Sequence, residues 1–383
     1  MSAPPKQRWR RVLRRVVRWG VRAIVLVFVL GSVALAVGYW RSDNDCEELL
    51  TRAPADPMLA ILACDYGSSQ VLRIEHIEKP KPGDDEVRVR VRAVSVNPLD
   101  WHFMRGTPYL MRLQTGLRKP KGTQPGVDFA GTVDAVGRNV DDFKPGDEVF
   151  GGRNGAFAEY VCVRHDRALA HKPPGASFEQ AAAVPIAGLT ALQALRDRAK
   201  IQPGQKVLIN GASGGVGTFA VQIAKFLGAE VTGVCSTRNL ELVRSLGADH
   251  VIDYTKEDFT QGAQRFDAIL DNVGNRSLGE IRHVLAPEGA YVLIGGGGLN
   301  DHRWVGPLGG VLHTMLVSRF VSQRMGMMLA ELNQKDLVEM ADLMSSGKVT
   351  PVIDRRYPFT RISEAMAYLE EGHARGKVVV TIP

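Results

Sequence analysis

The chain has 383 residues with a net charge of +7, and 45% of them are hydrophobic, enough for two or three packed domains. Four cysteines are too few for a disulfide framework. Eight Lys and Arg residues and no acid precede residue 23, so the rest of the chain carries a net charge of −1. A nucleic-acid partner is therefore not expected.

The basic tail, 1–22, runs into an uncharged stretch from Ala23 to Trp40. As a helix those 18 residues would span about 27 Å, close to the ~30 Å hydrocarbon core. Trp19, Tyr39 and Trp40 sit at its ends, as interfacial aromatics do. The expectation is a single-pass membrane anchor at 23–40. A cleaved secretory signal, with Ala34-Leu-Ala36 as its site, is the alternative. The charge asymmetry favours the outer face for the following residues, and the side stays open. Residues 41–57, with Pro54 and Pro57, read as a linker. Cys46 and Cys64 would pair only in an oxidising compartment.

Residues 58–184 are β-rich. Val87-Arg-Val-Arg-Val-Arg92 alternates at period two, the pattern of a half-exposed strand, and Pro145-Gly146 and Gly151-Gly152 punctuate the strands that follow. From 185 to 345, apolar strands at 206–210, 231–235, 250–253, 267–271 and 290–294 alternate with helices, which predicts a parallel, doubly wound sheet. Residues 303–330 carry Trp304, Val311, Leu312, Met315, Leu316, Phe320, Met325, Met327 and Met328, and read as a pocket wall or a homodimer contact. The closing strand, 378–382, belongs to a segment, 346–383, expected to return to the β-rich domain.

The most informative stretch is Lys206-Val-Leu-Ile-Asn-Gly-Ala-Ser-Gly-Gly-Val-Gly217. An apolar strand runs into a glycine turn, and Val216, Ala220, Ile223, Ala224 and Leu227 then recur at helical spacing. Such a turn cradles a pyrophosphate: the backbone approaches closely, and the helix start offers unpaired N–H groups. Ala212 replaces the first glycine of the usual fingerprint. Gly211-Ala-Ser-Gly-Gly215 also fits a hydrolase nucleophile elbow, with Ser213 as nucleophile, but a β-rich domain ahead of it does not suit that fold.

The end of the next strand selects the cofactor. NAD-binding chains place an acid there for the ribose 2′-hydroxyl. Val231 to Leu240 holds no acid before Glu241; Ser236, Thr237 and Arg238 stand there instead, which favours the 2′-phosphate of NADP(H). No H-E-x-x-H, H-x-x-H or C-x-x-C spacing occurs, so no metal site is expected.

Taken together, Ser95-Val-Asn-Pro-Leu-Asp100, Gly126-Val-Asp-Phe-Ala-Gly131, Pro145-Gly-Asp-Glu-Val-Phe150, Gly188-Leu-Thr-Ala191, the glycine turn and Asp271-Asn-Val-Gly274 carry a family resemblance. From about Met58 onward the chain resembles the zinc-free branch of the medium-chain dehydrogenase/reductase superfamily, especially its quinone oxidoreductase-like and reticulon-interacting mitochondrial protein groups. The resemblance implies a GroES-like catalytic domain plus a doubly wound Rossmann domain, an α/β architecture here preceded by the expected transmembrane helix. The site would lie in the cleft between the domains. Zinc alcohol dehydrogenases carry a ligand Cys about where Asn97 stands, and Gly-His-Glu where this chain has Gly126-Val127-Asp128; the Cys and His are missing. By position, the resemblance places Asn97 and Thr190 near the nicotinamide. It puts Ser213, Gly214, Gly215, Val216 and Gly217 on the pyrophosphate, and Ser236, Arg238 and Tyr254 at the 2′-phosphate. Asn272 and Gly295 line the cofactor, and Lys377 reaches it. The implied reaction is hydride addition from NADPH to a quinone or an α,β-unsaturated carbonyl. Asn97, Tyr109 and His102 are the candidate donors to the developing enolate oxygen, and residues 102–124 are the candidate pocket lid. A ketone or alcohol dehydrogenase, or a non-catalytic NADPH-binding scaffold, are the competing readings.

Overall fold

The structure, a computed structural model, describes residues 42–295 and 321–383, preceded by Trp19, Gly20, Arg22 and the stretches 27–33 and 36–40. Those two stretches are helical. Among the described residues no helix is long and apolar enough to cross a membrane. The expected anchor at 23–40 is therefore not supported, and neither is the single-pass membrane location drawn from it. The remaining residues of that run lie outside the described residues, as do Trp304, Val311, Leu312, Met315, Leu316 and Phe320 of the expected pocket wall or dimer contact.

Fifteen strands are described. β1 (Pro57–Ala63) and β2 (Leu72–Glu78) form an antiparallel pair. Next come β3 (Glu86–Val96), β4 (Asp128–Val136), β5 (Glu148–Gly152), β6 (Tyr160–Arg164) and β7 (Leu169–His171). The parallel set is β8 (Lys206–Asn210), β9 (Glu230–Cys235), β10 (His250–Asp253), β11 (Phe266–Asp271), β12 (Leu285–Leu293) and β13 (Arg324–Met327). β14 (Ile353–Pro358) and β15 (Lys377–Thr381) close the chain.

One sheet runs β14-β15-β3-β4-β5-β7, with β6 also paired to β3; the other runs β10-β9-β8-β11-β12-β13. The second order is that of a doubly wound nucleotide-binding sheet, and its chain order reverses direction between β8 and β11. Val207, Leu208 and Ile209 of β8 are fully buried, as a central parallel strand requires. β3 keeps its alternation only in its first half. Val87, Val89 and Val91 point inward, but from Ala93 onward every residue is buried, because β4 and β15 flank the strand there and helices cover it.

The helix Pro185–Gln193 joins the two sheets. All of its residues except Ile186 are buried. One apolar cluster includes Ala93, Ala130 and Phe150 of the first sheet, Leu189 and Leu192 of this helix, and Val207, Ile209 and Phe219 beyond it. Shared packing of this kind fixes one sheet against the other.

The expected linker is folded against the body. Cys46, buried at the start of the helix Cys46–Thr51, is bonded to Cys64, just past β1. Asn44 Nδ2 donates to the carbonyls of Cys64 (2.8 Å) and Pro120 (3.1 Å), and Thr123 Oγ1 donates to Asp45 Oδ1 at 2.9 Å. The expected lid is thus tied at its base to residues 42–46. The disulfide closes a loop of 18-residue separation, worth about 3 kcal/mol of unfolded-state entropy. Cys46→Ser, or reductant, should lower the stability read from the denaturant midpoint by about that amount. An unchanged midpoint would mean that the hydrogen bonds alone hold the segment.

Candidate active site

Strand register brings together the central cluster. Ser95 lies opposite Asp128 in the β3–β4 ladder, and Val378 lies opposite Val96 in the β3–β15 ladder, which sets Lys377 beside Asn97. Asp128 Oδ2 accepts from Ser95 Oγ (2.8 Å) and Asn97 Nδ2 (2.9 Å), and Lys377 Nζ stands 3.4 Å away. Asp128 Oδ1 accepts the Ile186 N–H, at the start of the helix Pro185–Gln193, at 3.0 Å. Lys377 Nζ also donates to Asn97 Oδ1 at 2.5 Å. Ser95, Asn97, Asp100, Asp128 and Lys377 are all at most 3% exposed.

Burial lowers the pKa of Lys377, against the opposing pull of Asp128 and Asp100. Asp100, which accepts the Asn97 N–H at 2.7 Å, is pushed up to about 7, first by burial and then by the Asp128 charge. An ammonium has three donors. Asn97 and Asp128 engage two, leaving Lys377 one N–H for another oxygen.

The Lys377 stem crosses to the other sheet: a Cβ on Gly215 would lie 3.3 Å from Lys377 Cδ. Gly215 opens the helix Gly215–Phe226, whose first-turn N–H groups, at Gly215, Val216 and Gly217, have no intrahelical carbonyl to meet. Gly217 must be glycine, because a Cβ there would lie 2.1 Å from the Gly211 carbonyl oxygen. Ala212 sits in the core with its N–H on the Val234 carbonyl at 3.0 Å, so its methyl packs where the fingerprint usually has none.

Around this turn the carboxyl ends of β8 to β12 form a rim. Ser213 Oγ accepts from Asn239 Nδ2 at 2.9 Å, and Ser236 Oγ lies 3.3 Å from the same nitrogen. Asn272 Nδ2 donates to the Asn210 carbonyl (2.9 Å), and a Cβ on Gly295 would stand 2.2 Å from the Asn272 carbonyl oxygen. Asn239 Oδ1 and Asn272 Oδ1 are buried and meet no donor among the described residues. Two orphaned acceptors flank a row of unpaired N–H groups. That set suits a dinucleotide, whose hydroxyls and amino groups donate and whose phosphates accept. When bound, that cofactor supplies the hydride.

The outer corner holds Ser236, Arg238 and the half-exposed Tyr254. Asp253, opposite Cys235 in the β9–β10 ladder, is an acid at this corner. Its carboxylate is taken up internally: it accepts from Thr237 Oγ1 (2.6 Å) and Thr255 Oγ1 (2.7 Å), with Lys256 at 3.6 Å. The Thr237 hydroxyl leads the causes that hold its pKa down to about 2. A carboxylate so occupied is not presented to a ribose.

Comparison with known proteins agrees with this fold. The chain matches the alcohol dehydrogenase GroES-like domain over residues 83–174 and the zinc-binding dehydrogenase domain over 246–380. It is 37% identical to 2-methylene-furan-3-one reductase of Solanum lycopersicum, over 82% of this chain and 77% of that one. It is 35% identical to the mitochondrial NAD(P)H oxidoreductase RTN4IP1 of Bos taurus, over 92% of this chain and 97% of that one. Its fold superposes on the quinone oxidoreductase of Coxiella burnetii with a TM-score of 0.74, at 29% identity, over 86% of this chain and all of the other. The chain belongs to the medium-chain dehydrogenase/reductase superfamily.

Within that superfamily it falls in the quinone oxidoreductase-like group, and it is an NAD(P)-dependent oxidoreductase with NADP(H) as its cofactor. Among the residues singled out from the sequence, the structure gathers Asn97 and Lys377 into one cluster beside Gly215. Thr190 lies one helical turn beyond Ile186, its hydroxyl on the Ile186 carbonyl at 2.6 Å. His102 and Tyr109 are not among the four donors that meet Asp128. His102 Nδ1 pairs with the Thr107 carbonyl at 2.7 Å, and burial lowers its pKa against that hydrogen bond. Tyr109 lies beside Arg112, whose guanidinium is 4.7 Å from the ring centre. Sequence reasoning passed over Ser95, Asp100, Asp128, Asn239 and Asp253. A signal for the first three existed: each is a polar residue inside one of the motifs that carry the family resemblance.

Two predictions follow from this geometry. Gly217→Ala should weaken NADPH binding roughly ten- to a hundredfold, the equivalent of about 1–3 kcal/mol of overpacking, as read by fluorescence titration. Asp100 binds its proton more tightly folded than unfolded, so its contribution to stability is greatest at acid pH and is lost as pH rises from about 4 through about 7. Asp100→Asn keeps an acceptor for the Asn97 N–H but does not titrate. Its melting temperature relative to the parent should therefore climb between pH 5 and pH 8; a flat difference would contradict the buried-acid reading.

Proposed function

We propose that the chain is a zinc-independent, NADPH-dependent reductase acting on a quinone or an α,β-unsaturated carbonyl. The observation that carries this reading is the Lys377 ammonium, buried between Asn97 Oδ1 and Asp128 Oδ2. Asn97 stands about where the zinc enzymes have a metal-ligating cysteine, and Asp128 stands in the Gly-His-Glu position. A cation already held against these two groups leaves a second cation repelled, and Lys377 provides the positive charge in its place. The relatives support the substrate class: one is named as a furanone reductase and another as a quinone oxidoreductase. Both names describe a carbonyl conjugated to a C=C bond.

Reduction of such a group places hydride on the distal carbon and negative charge on the carbonyl oxygen, and a proton then adds to the carbon between them. Lys377 acts on the oxygen. Its remaining N–H, on a buried ammonium, stabilises the charge, and one such donor is worth roughly 10²–10³ in kcat. Its lowered pKa also makes it a readier proton source than an exposed lysine. Asn97 and Asp128 hold the ammonium in place, so Asn97 works through Lys377 instead of donating directly.

Lys377→Met should lower kcat with enone or quinone acceptors by about 10²–10³. NADPH affinity should fall far less, and chelator treatment of the parent should leave its rate unchanged. One tightly held zinc per chain, lost together with activity, would falsify the zinc-independent part. NADPH binding with no turnover on any acceptor would overturn the reductase itself.

A further inference from the structure

Lys377 reaches the site at the end of a short strap, residues 371–376, between the helix Ile362–Glu370 and β15. Its own sheet holds the strap at two points. Asp354 Oδ2 accepts both the Tyr368 hydroxyl (2.6 Å) and the Arg375 N–H (2.9 Å). The Lys377 N–H meets the Val352 carbonyl at 2.8 Å. Gly376, at φ +106°, turns the strap into β15, and a Cβ there would lie 2.4 Å from the Val352 carbonyl oxygen.

The third point of attachment crosses from the nucleotide-binding sheet. Arg238 Nη2 donates to the His373 carbonyl at 2.9 Å. Arg238 also contributes to the electrostatics of the Tyr368 phenol, where burial dominates and raises the pKa. So the side chain assigned to the cofactor's 2′-phosphate is, in this structure, bonded to the backbone four residues before Lys377.

We propose that Arg238 is a positioning residue for Lys377 as well as a ligand for the 2′-phosphate. A guanidinium has five N–H donors in a rigid fork. One serves His373, and the others suffice for a phosphate, including a bidentate pair. A 2′-phosphate drawn onto Arg238 therefore immobilises the strap as it binds. NADH, which has none, leaves the strap held across the cleft by the His373 bond alone. The chain then distinguishes the two cofactors twice, once in affinity and once in the placement of the group that acts on substrate.

This inference rests on the reading of Lys377 as the active donor, and the two can fail separately. NADH isolates the strap, because it presents nothing for Arg238 to bind as a phosphate ligand. With saturating NADH, Arg238→Ala should lower kcat roughly tenfold, the fold-change expected for a lost hydrogen bond to a charged group, with a smaller change in KM. Arg238→Lys, which keeps one donor, should recover most of the loss. In parallel, hydrogen exchange at the amides of 371–377 should be faster in Arg238→Ala. In the parent it should be slowed more by adenosine 2′,5′-bisphosphate than by adenosine 5′-monophosphate. Unchanged NADH kinetics in Arg238→Ala, together with equal protection by the two nucleotides, would reduce Arg238 to a phosphate ligand and overturn the proposal. Should no acceptor be turned over at all, the reductase reading falls, and the exchange measurement still decides the strap.

Discussion

A carboxylate that no solvent reaches dominates the architecture. Asp128 is fully buried, and burying an ionised group is costly unless it is paired and hydrogen-bonded. Its partners come from separate parts of the chain: Ser95 and Asn97 from β3 and its end, Ile186 from the helix that joins the sheets, and Lys377 from β15. Removing one partner of a buried ion pair typically costs about 3–5 kcal/mol, because the other is left uncompensated. The register of three strands, the start of one helix and the position of one lysine are therefore set by a single requirement. That requirement also leaves an ammonium with one donor to spare beside the glycine turn.

The parts of this arrangement that were legible in the sequence are those with a local cause. The run Val207-Leu-Ile209, the glycines that follow and the helical spacing from Val216 to Leu227 each reflect nearest-neighbour geometry, and β8, its turn and the next helix appear where that pattern put them. The acid-free end of β9 is equally local. Asp253 was not legible in this way, because it enters the same corner from β10, and only parallel pairing sets it opposite Cys235. Asp128 and its donors are similarly non-local, since Asn97 and Lys377 are 280 residues apart.

Three expectations met a different outcome because sequence pattern does not report tertiary engagement. An uncharged run beside a basic tail satisfies every rule for a span, yet the described part contains no helix of the necessary length and hydropathy. Polar residues and prolines at 41–57 read as a linker, but Asn44, Asp45 and Cys46 each have a specific partner in the body. His102, at the start of the expected lid, was a candidate donor to the enolate oxygen. Its bond to the Thr107 carbonyl, which the helix end Arg105-Gly106 brings within reach, determines which nitrogen carries the proton.

The pairing of β15 with β3 has a consequence for how the molecule assembles. Val378 and Val96 are ladder partners, yet the whole parallel sheet lies between them in sequence. The nucleotide-binding unit is thus an insertion within the other sheet, and its two ends must leave it close together for that sheet to close. A contact of such long range carries a large loop-closure entropy unless the intervening chain has already compacted. Folding of the inserted unit first would therefore shorten the effective loop for β15, so that Lys377 would dock after it. An intermediate with a formed glycine turn and an empty lysine position would bind nucleotide before it could act on a substrate.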